Sequence, residues 1–330
     1  MQPDLTFLQM VTRDKFLPAV VDNIYDTNRV FKMMESRIKE ASGTSLSWVT
    51  SAVRNPNVGL FGGFSLVSNQ AFNPYVKLSL AVAKYYGTLS FPFDDLQMNV
   101  GNKEKLLDMA KAGMTSIRDQ LTENLGLGMY SSGTATTEGL QPIIGFGAAI
   151  TGSTGTYAGL DRSSSKYAFW RANSNATTYS SDDLENPTAA GYLPRVMATS
   201  FSNATHFGSP TIIITQEDVF NHYAIIAQVQ NLRVTEHAKA DLGFQTLGFQ
   251  GATMLFDKYC PAYTMYMLNE KDWDIFVYPG ANFDFVKSSN GSIWLDTIDQ
   301  IAQIARIVWM GQMRLNAPRQ QAVLSGLGNG

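Results

Sequence analysis

Residues 44–92 read TSLSWVTSAVRNPNVGLFGGFSLVSNQAFNPYVKLSLAVAKYYGTLSFP. Val76, Leu78, Leu80 and Val82 alternate with Lys77 and Ser79, the period of a strand with one covered face. The earlier stretch SLSWVTSAV is also strand-like, and a tip rich in Gly, Asn and Pro, RNPNVGLFGGF (54–64), lies between the two. The reading is one long β-hairpin with a mobile tip. A lone two-stranded hairpin is marginal in water, so this one needs a surface to lie on, and a neighbouring subunit is a candidate.

Working outward from it, residues 1–22 hold Pro3 and Pro18 and read as an open arm. The start, MQPDLTFLQMVTRDKF, has no continuous apolar core of a secretory leader. Phe31, Met34, Ile38 and Ala41 predict a helix over 23–41 that ends at Gly43. On the other side, Asn102 caps a helix over 102–125 whose stripe is Leu106, Ala110, Met114, Ile117 and Leu121, with Gly126 as its stop. That helix spans about 36 Å.

Residues 126–210 are rich in Gly, Ser, Thr and Asn and predict short strands and excursions, because a structureless loop of that length is improbable in a compact domain. PTIIITQED (210–218) reads as a buried strand entering a helix, with Thr215 as cap and Val219, Tyr223, Ile226 and Gln230 along one face. Short strands follow at 244–249, 253–257, 263–268 and 274–278. Residues 293–316 fit a helix through Ile298, Ile301, Ala305 and Val308. They equally fit a strand with Ile304, Val308 and Met310 on one face and Ile307, Trp309 and Met313 on the other. Periodicity does not choose between the two.

The composition narrows function. The 330 residues carry 25 Lys+Arg and 28 Asp+Glu, 16% charged, with a net charge of −3. An ordinary soluble domain has about 25%, so either the surface is neutral and polar or much of it is covered by other copies. A sequence pI of about 5.7 argues against nucleic-acid binding by a basic surface. The 38 aromatics (19 Phe, 14 Tyr, 5 Trp) argue against disorder. Cys260 stands alone, so no disulfide forms within the chain, and it reads as a small buried hydrophobe. The longest uncharged apolar stretch, 139–160, is broken by Pro142, glycines and Ser/Thr, so no membrane span is expected. The sequons at Asn175, Asn203 and Asn290 are those expected by chance in so polar a chain.

Chemistry is hard to find. There is no G-x-S-x-G elbow and no Walker loop, and His206, His222 and His237 do not pair at metal-ligand spacing. Gly126-Leu127-Gly128 follows a helix rather than a strand. Asp94-Asp95 reads as a turn, and Asp161-Arg162 as a local salt bridge or turn contact. No catalytic residue, metal ligand or cofactor-binding residue is assigned. The remaining excess is aromatic: Tyr85-Tyr86, Phe91, Phe93, Phe169-Trp170 and the run from Trp273 to Phe285. Each reads singly as core; together with the hairpin, the arm and the low charge they favour assembly.

The order of these elements resembles the major capsid proteins of tailed bacteriophages, an α+β class with the Hong Kong 97-like fold. Glu138-Gly139-Leu140, Ala158-Gly159-Leu160-Asp161-Arg162 and Phe169-Trp170-Arg171 resemble a family signature. Ser209 to Thr215, Leu247 to Ala252 with Phe256-Asp257, Met267-Leu268-Asn269, Trp309 to Met313, Asn316, and Arg319 to Leu324 resemble later family elements. Ala158 stands where the family often has a second glycine, and Ala168-Phe169 replaces part of a double tryptophan. The resemblance implies an N-terminal arm (1–43), an extended loop (44–92), a peripheral domain (93–171 and 291–330) with the 102–125 helix as its spine, and an axial domain (172–290). It also implies a long strand over 302–316. By the same resemblance the chain is a structural protein, not an enzyme, and has no cofactor. It builds hexamers and pentamers of an icosahedral shell, assembled in the host cytoplasm, that encloses double-stranded DNA in the virion without sequence-specific binding. Portal, scaffolding and decoration proteins are its further partners, and no membrane is involved. Trp48, Arg54, Phe61, Phe64, Phe72, Tyr75, Asp161, Arg162, Trp170 and Arg319 are the expected intersubunit contacts. The rival readings are an encapsulin-type nanocompartment shell and a cytoplasmic α+β enzyme.

Overall fold

In a computed structural model, the described residues are 29–51, 57–63, 66–67, 69–71, 73–92, 94, 103–134, 142–206, 208–229, 247–288, 290–296 and 302–330. The arm over 1–22, Gln230, His237 and Asp95 therefore lie outside them. In chain order the helices are α1 (Arg29–Met34), α2 (Lys103–Met129), α3 (Phe146–Ala149), α4 (Ser181–Glu185), α5 (Leu193–Ala204) and α6 (Glu217–Val229). The strands are β1 (Ile38–Glu40), β2 (Ser45–Ser51), β3 (Tyr75–Ala81), β4 (Ala83–Pro92), β5 (Thr156–Tyr157), β6 (Leu160–Asp161), β7 (Asn173–Asn175), β8 (Ile212–Thr215) and β9 (Leu247–Phe249). They continue as β10 (Ala252–Phe256), β11 (Thr264–Leu268), β12 (Trp273–Phe285), β13 (Leu295–Asp296), β14 (Ala302–Leu315) and β15 (Ala322–Ser325).

The chain packs as two units, 1–44 with 82–145 and 274–314, and 45–81 with 146–273 and 315–330. These limits differ from the expected domains: 274–290 joins the first unit, while the hairpin, 146–171 and 315–330 join the second.

In the first unit β14 is central. It pairs with β4 from Ala302↔Pro92 to Gly311↔Ala83, and β12 and β13 lie on its other side. The ambiguous 293–316 segment is thus strand over its long part. Its odd face, Ala305, Ile307, Trp309, Met313 and Leu315, is buried, while Val308 and Met310 on the even face are only half-buried. Trp309 meets Tyr85 at 5.8 Å and Phe283 at 6.5 Å. Helix α2 lies on β4 with Ala110, Met114, Ile117, Leu121, Leu125 and Met129 buried. The approach is close because two glycines leave room: a Cβ at Gly113 would sit 2.1 Å from Leu89 Cδ1, and one at Gly87 2.5 Å from Ile117 Cγ2.

Two expectations fail here. Helix α2 does not stop at Gly126 but runs through Gly126 and Gly128, neither at positive φ. Burial of Leu125 and Met129 outweighs the propensity cost of two glycines, about 2 kcal/mol. The N-terminal helix ends early, at Met34 followed by a turn of 3₁₀ helix. Ile38 to Glu40 instead pair in parallel with Ile275 to Val277 of β12, Lys39 Nζ lies 2.6 Å from the buried Asp274, and Ala41 N–H donates to Val277 O. Backbone pairing with a distant strand overrides the local helical stripe.

The second unit holds a mixed six-stranded sheet, β7-β15-β11-β8-β10-β9. All four residues of β8 are buried. Ile213, Met254, Met265, Met267 and Leu324 face α4, α5 and α6, burying Leu184, Leu193, Val196, Met197, Phe201, Val219, Phe220, Tyr223 and Ile226. Thr215 does not cap α6: its hydroxyl donates to Thr264 O at 3.0 Å inside the sheet. Helices α4 and α5 lie where the sequence predicts short strands and excursions. Their signals are present in the Ser180/Asp183 capping box and in the 3–4 spacing of Leu193, Val196, Met197, Ser200, Phe201 and Ala204.

The hairpin is shorter than 44–92. Strands β2 and β3 pair from Ser45↔Ala81 to Ser51↔Tyr75, and residues 83–92 leave it to pair with β14. Leu46, Leu78 and Leu80 on one face are buried. The opposite face, with Ser47, Val49, Tyr75 and Lys77, is exposed.

Candidate functional site

Two groups of residues concern function: the hairpin surface, and the A-G-L-D-R stretch with the F-W-R that follows it. In the second, Asp161 and Arg162 part company. The Asp161 carboxylate is exposed and accepts Ser163 N–H at 2.9 Å and Ser163 Oγ–H at 2.7 Å, and the hydroxyl bond chiefly holds it below the usual carboxylate range. Arg162 turns inward and is fully buried. Its Nη1 donates to Ala148 O at 2.9 Å and to the Thr151 hydroxyl, and its Nη2 to Ala149 O at 2.5 Å. A guanidinium thus closes the carbonyl end of α3, where unpaired C=O groups collect. Burial draws its pKa down to about 10, so it stays charged at neutral pH. The Tyr157 ring lies 5.2 Å from its charge, and Tyr157 stacks on Trp170 at 6.0 Å. Trp170 Nε1 donates to Tyr157 O at 3.3 Å. Arg171 clasps the turn from outside through Arg162 O at 2.7 Å and Ser163 O at 3.0 Å.

This node corrects the sequence reading. Arg162 and Trp170, 0% and 1% exposed within their own chain, have no surface to offer a neighbour. Asp161 is a turn contact and makes no ion pair with Arg162. The turn itself is strained. Strands β5 and β6 are joined by Ala158 at φ +53° and Gly159 at φ +86°, the two positive φ values of a tight hairpin turn. A left-handed non-glycine residue costs about 1–2 kcal/mol. Ala158→Gly is therefore expected to stabilise the chain by up to about 1 kcal/mol, after subtracting the extra freedom of glycine in the unfolded state. A urea midpoint that falls in this variant would contradict it. The Ala158 carbonyl, which accepts Ser79 N–H of β3 at 3.3 Å, is retained.

On the hairpin, Trp48 is half-buried opposite Leu78 on the covered face. Tyr75 is 64% exposed and Phe61 80% exposed. Val49, Val58, Leu60, Leu66 and Val67 are also exposed. Residues 55–76 contain no Asp, Glu, Lys or Arg, so apolar surface is presented to solvent without charges to keep it there. Arg54, Phe64 and Phe72 lie outside the described residues. Arg319 is exposed on a 3₁₀ turn, Pro318–Gln320.

Among the described residues outside these two groups, the buried Asp274 carboxylate is met by Lys39 Nζ at 2.6 Å and Arg314 Nη2 at 2.5 Å, an ion-pair cluster. His222 Nδ1 sits 2.6 Å from Glu185 Oε1, joining α6 to α4, and His206 is exposed. The Cys260 thiol is buried, and burial pushes its pKa up, away from thiolate reactivity. Among the described residues no three His, Cys, Asp or Glu side chains gather closely enough to hold a metal, and no helix is long and apolar enough to cross a membrane.

No protein-family model matches the chain, and no curated protein matches it in sequence. Solved structures do match. Against the cyanophage A-1(L) capsid asymmetric unit the TM-score is 0.60 at 16% identity, covering 91% of this chain and 93% of that one. The capsid of Myoviridae phage XM1 matches with TM-score 0.55 at 10% identity over 86% of both chains. The SrpI encapsulin complex from Synechococcus elongatus matches with TM-score 0.50 at 5% identity, covering 88% and 85%. The chain therefore has the α+β, Hong Kong 97-like capsid fold.

Proposed function

We propose that this chain is the major head protein of a tailed bacteriophage, closing as hexamers and pentamers into an icosahedral shell. The observation that carries the reading is the set of exposed apolar side chains on the hairpin, Val49, Val58, Leu60, Phe61, Leu66, Val67 and Tyr75, most of them in the charge-free stretch 55–76. An isolated soluble subunit rarely displays such a set, whereas an assembled one covers it. The occupant is a second copy, since repeating one heterologous contact closes rings and shells. The unit built on β4, β12, β14 and α2 acts as the peripheral domain, with α2 as its spine, and the six-stranded unit with α4 to α6 acts as the axial domain. In this reading Trp48, Phe61, Tyr75, Asp161 and Arg319 meet neighbouring copies, and Arg54, Phe64 and Phe72, outside the described residues, are proposed to join them.

The shell holds double-stranded DNA by enclosure. A weakly acidic subunit suits this, because it does not condense on phosphates. The part is mechanical and not catalytic. Its place is the virion shell, assembled in the host cytoplasm, with portal, scaffolding and decoration proteins as further partners. An encapsulin-type shell is the second reading, favoured by the SrpI likeness. The test is electron microscopy of the purified chain and of particles from its source: closed shells containing DNA support the head protein, and closed shells containing only protein cargo support the second reading. A stable monomer or small oligomer under all assembly conditions would defeat both.

A further inference from the structure

The hairpin tip carries its own fastening. Asn57 Nδ2 donates to Gln70 O at 2.8 Å, and Asn57 Oδ1 accepts Gln70 N–H at 2.9 Å. One side chain thus imitates both bonds of a strand pair, well beyond the last true pair, Ser51↔Tyr75. Between its two ends lie Val58, Leu60, Phe61, Leu66 and Val67, all exposed. The described apolar residues of this loop face solvent and build no core to order it, which leaves the closure as the ordering contact among the described residues.

We infer that Asn57 is a positioning residue for assembly, an amide clamp that presets the tip for its contact with a second copy of the chain. The inference rests on the shell reading given above. A loop ordered beforehand does not lose that freedom again on association, so closure in the free subunit strengthens the later contact without touching it. The chemistry selects an amide: it donates and accepts together, whereas a carboxylate accepts only and an alkyl group does neither. Ser and Thr are too short to present both functions to one backbone position.

The test uses the full chain as Asn57→Ala, Asn57→Asp and Phe61→Asp. Assembly is followed by light scattering against concentration, and hydrogen exchange of the Gln70 amide is followed in unassembled subunits. Asn57→Ala is expected to raise the critical concentration about five- to tenfold, the effect of about one net hydrogen bond. It is also expected to speed Gln70 exchange while leaving the thermal midpoint unchanged. Asn57→Asp, which keeps only the accepted bond, falls between. A critical concentration for Asn57→Ala equal to that of the unchanged chain overturns the clamp, as does unaltered Gln70 exchange. Normal assembly of Phe61→Asp overturns the shell contact itself, and with it the role of the clamp. A raised threshold for Phe61→Asp beside a normal one for Asn57→Ala sinks the clamp alone.

Discussion

On the proposed shell reading, the double substitution Leu60→Asp/Phe61→Asp is expected to leave folded, unassembled subunits at concentrations where the unchanged chain would form closed particles. Leu60 and Phe61 are 105% and 80% exposed in the isolated chain, so neither contributes to its core. Burying a Leu or Phe side chain yields about 1.5–3 kcal/mol, so the pair would contribute about 4 kcal/mol to each contact of the proposed shell. That is close to a thousandfold in the affinity of one contact. Two carboxylates add a desolvation cost if they are forced into the same interface. Sedimentation and negative-stain microscopy read assembly, while circular dichroism and the urea midpoint of the unassembled subunit read folding. Particles that form normally would remove the hairpin tip from the assembly surface. Subunits that fail to fold would show instead that the tip is needed for the fold.

The second large effect concerns the inside of the subunit. Arg162→Met is expected to lower its stability by about 3–5 kcal/mol, a large part of the 5–15 kcal/mol typical of a domain. Methionine replaces much of the volume but none of the donors. The carbonyls of Ala148 and Ala149 and the Thr151 hydroxyl lose the guanidinium that now serves them. Each buried acceptor left without a donor costs about 1–3 kcal/mol. Arg162→Lys keeps the charge but not the planar fork and is expected to fall between the two. Urea unfolding followed through tryptophan fluorescence measures the change. Arg319→Ala, at an exposed position, serves as the control and is expected to move the midpoint little. An unchanged midpoint for Arg162→Met would mean that the α3 carbonyls find other partners.

The two effects separate what holds one subunit together from what holds subunits to each other. Both kinds of residue are among the intersubunit contacts expected from the sequence. Trp170 and Arg162, buried within the chain, belong to the first kind, and Phe61 and Tyr75, exposed on it, are the ones proposed for the second. Nothing in the immediate sequence distinguishes them, because an Asp-Arg pair after Gly-Leu suits an exposed turn as well as a buried node. What decides is the position of three acceptors 11 to 14 residues away.

The sequence by itself determined the elements whose signal is local and repeated. The alternation of 76–82, the long stripe of α2 and the buried run entering α6 each report which face of a segment avoids water. Those faces do not depend on the partner that covers them. The Gly, Asn and Pro residues of 54–64 marked the tip between the two strands. Tertiary structure alone decided where those elements end and what they meet. Parallel pairing with β12 cut α1 short, burial of Leu125 and Met129 carried α2 through Gly126, and β14 drew 83–92 away from the hairpin. It also turned Arg162 inward and set Asn57 against Gln70. The reason is common to all: a period names an apolar face, while the free energy of a boundary or a buried polar group depends on hydrogen bonds and contacts supplied by residues far along the chain.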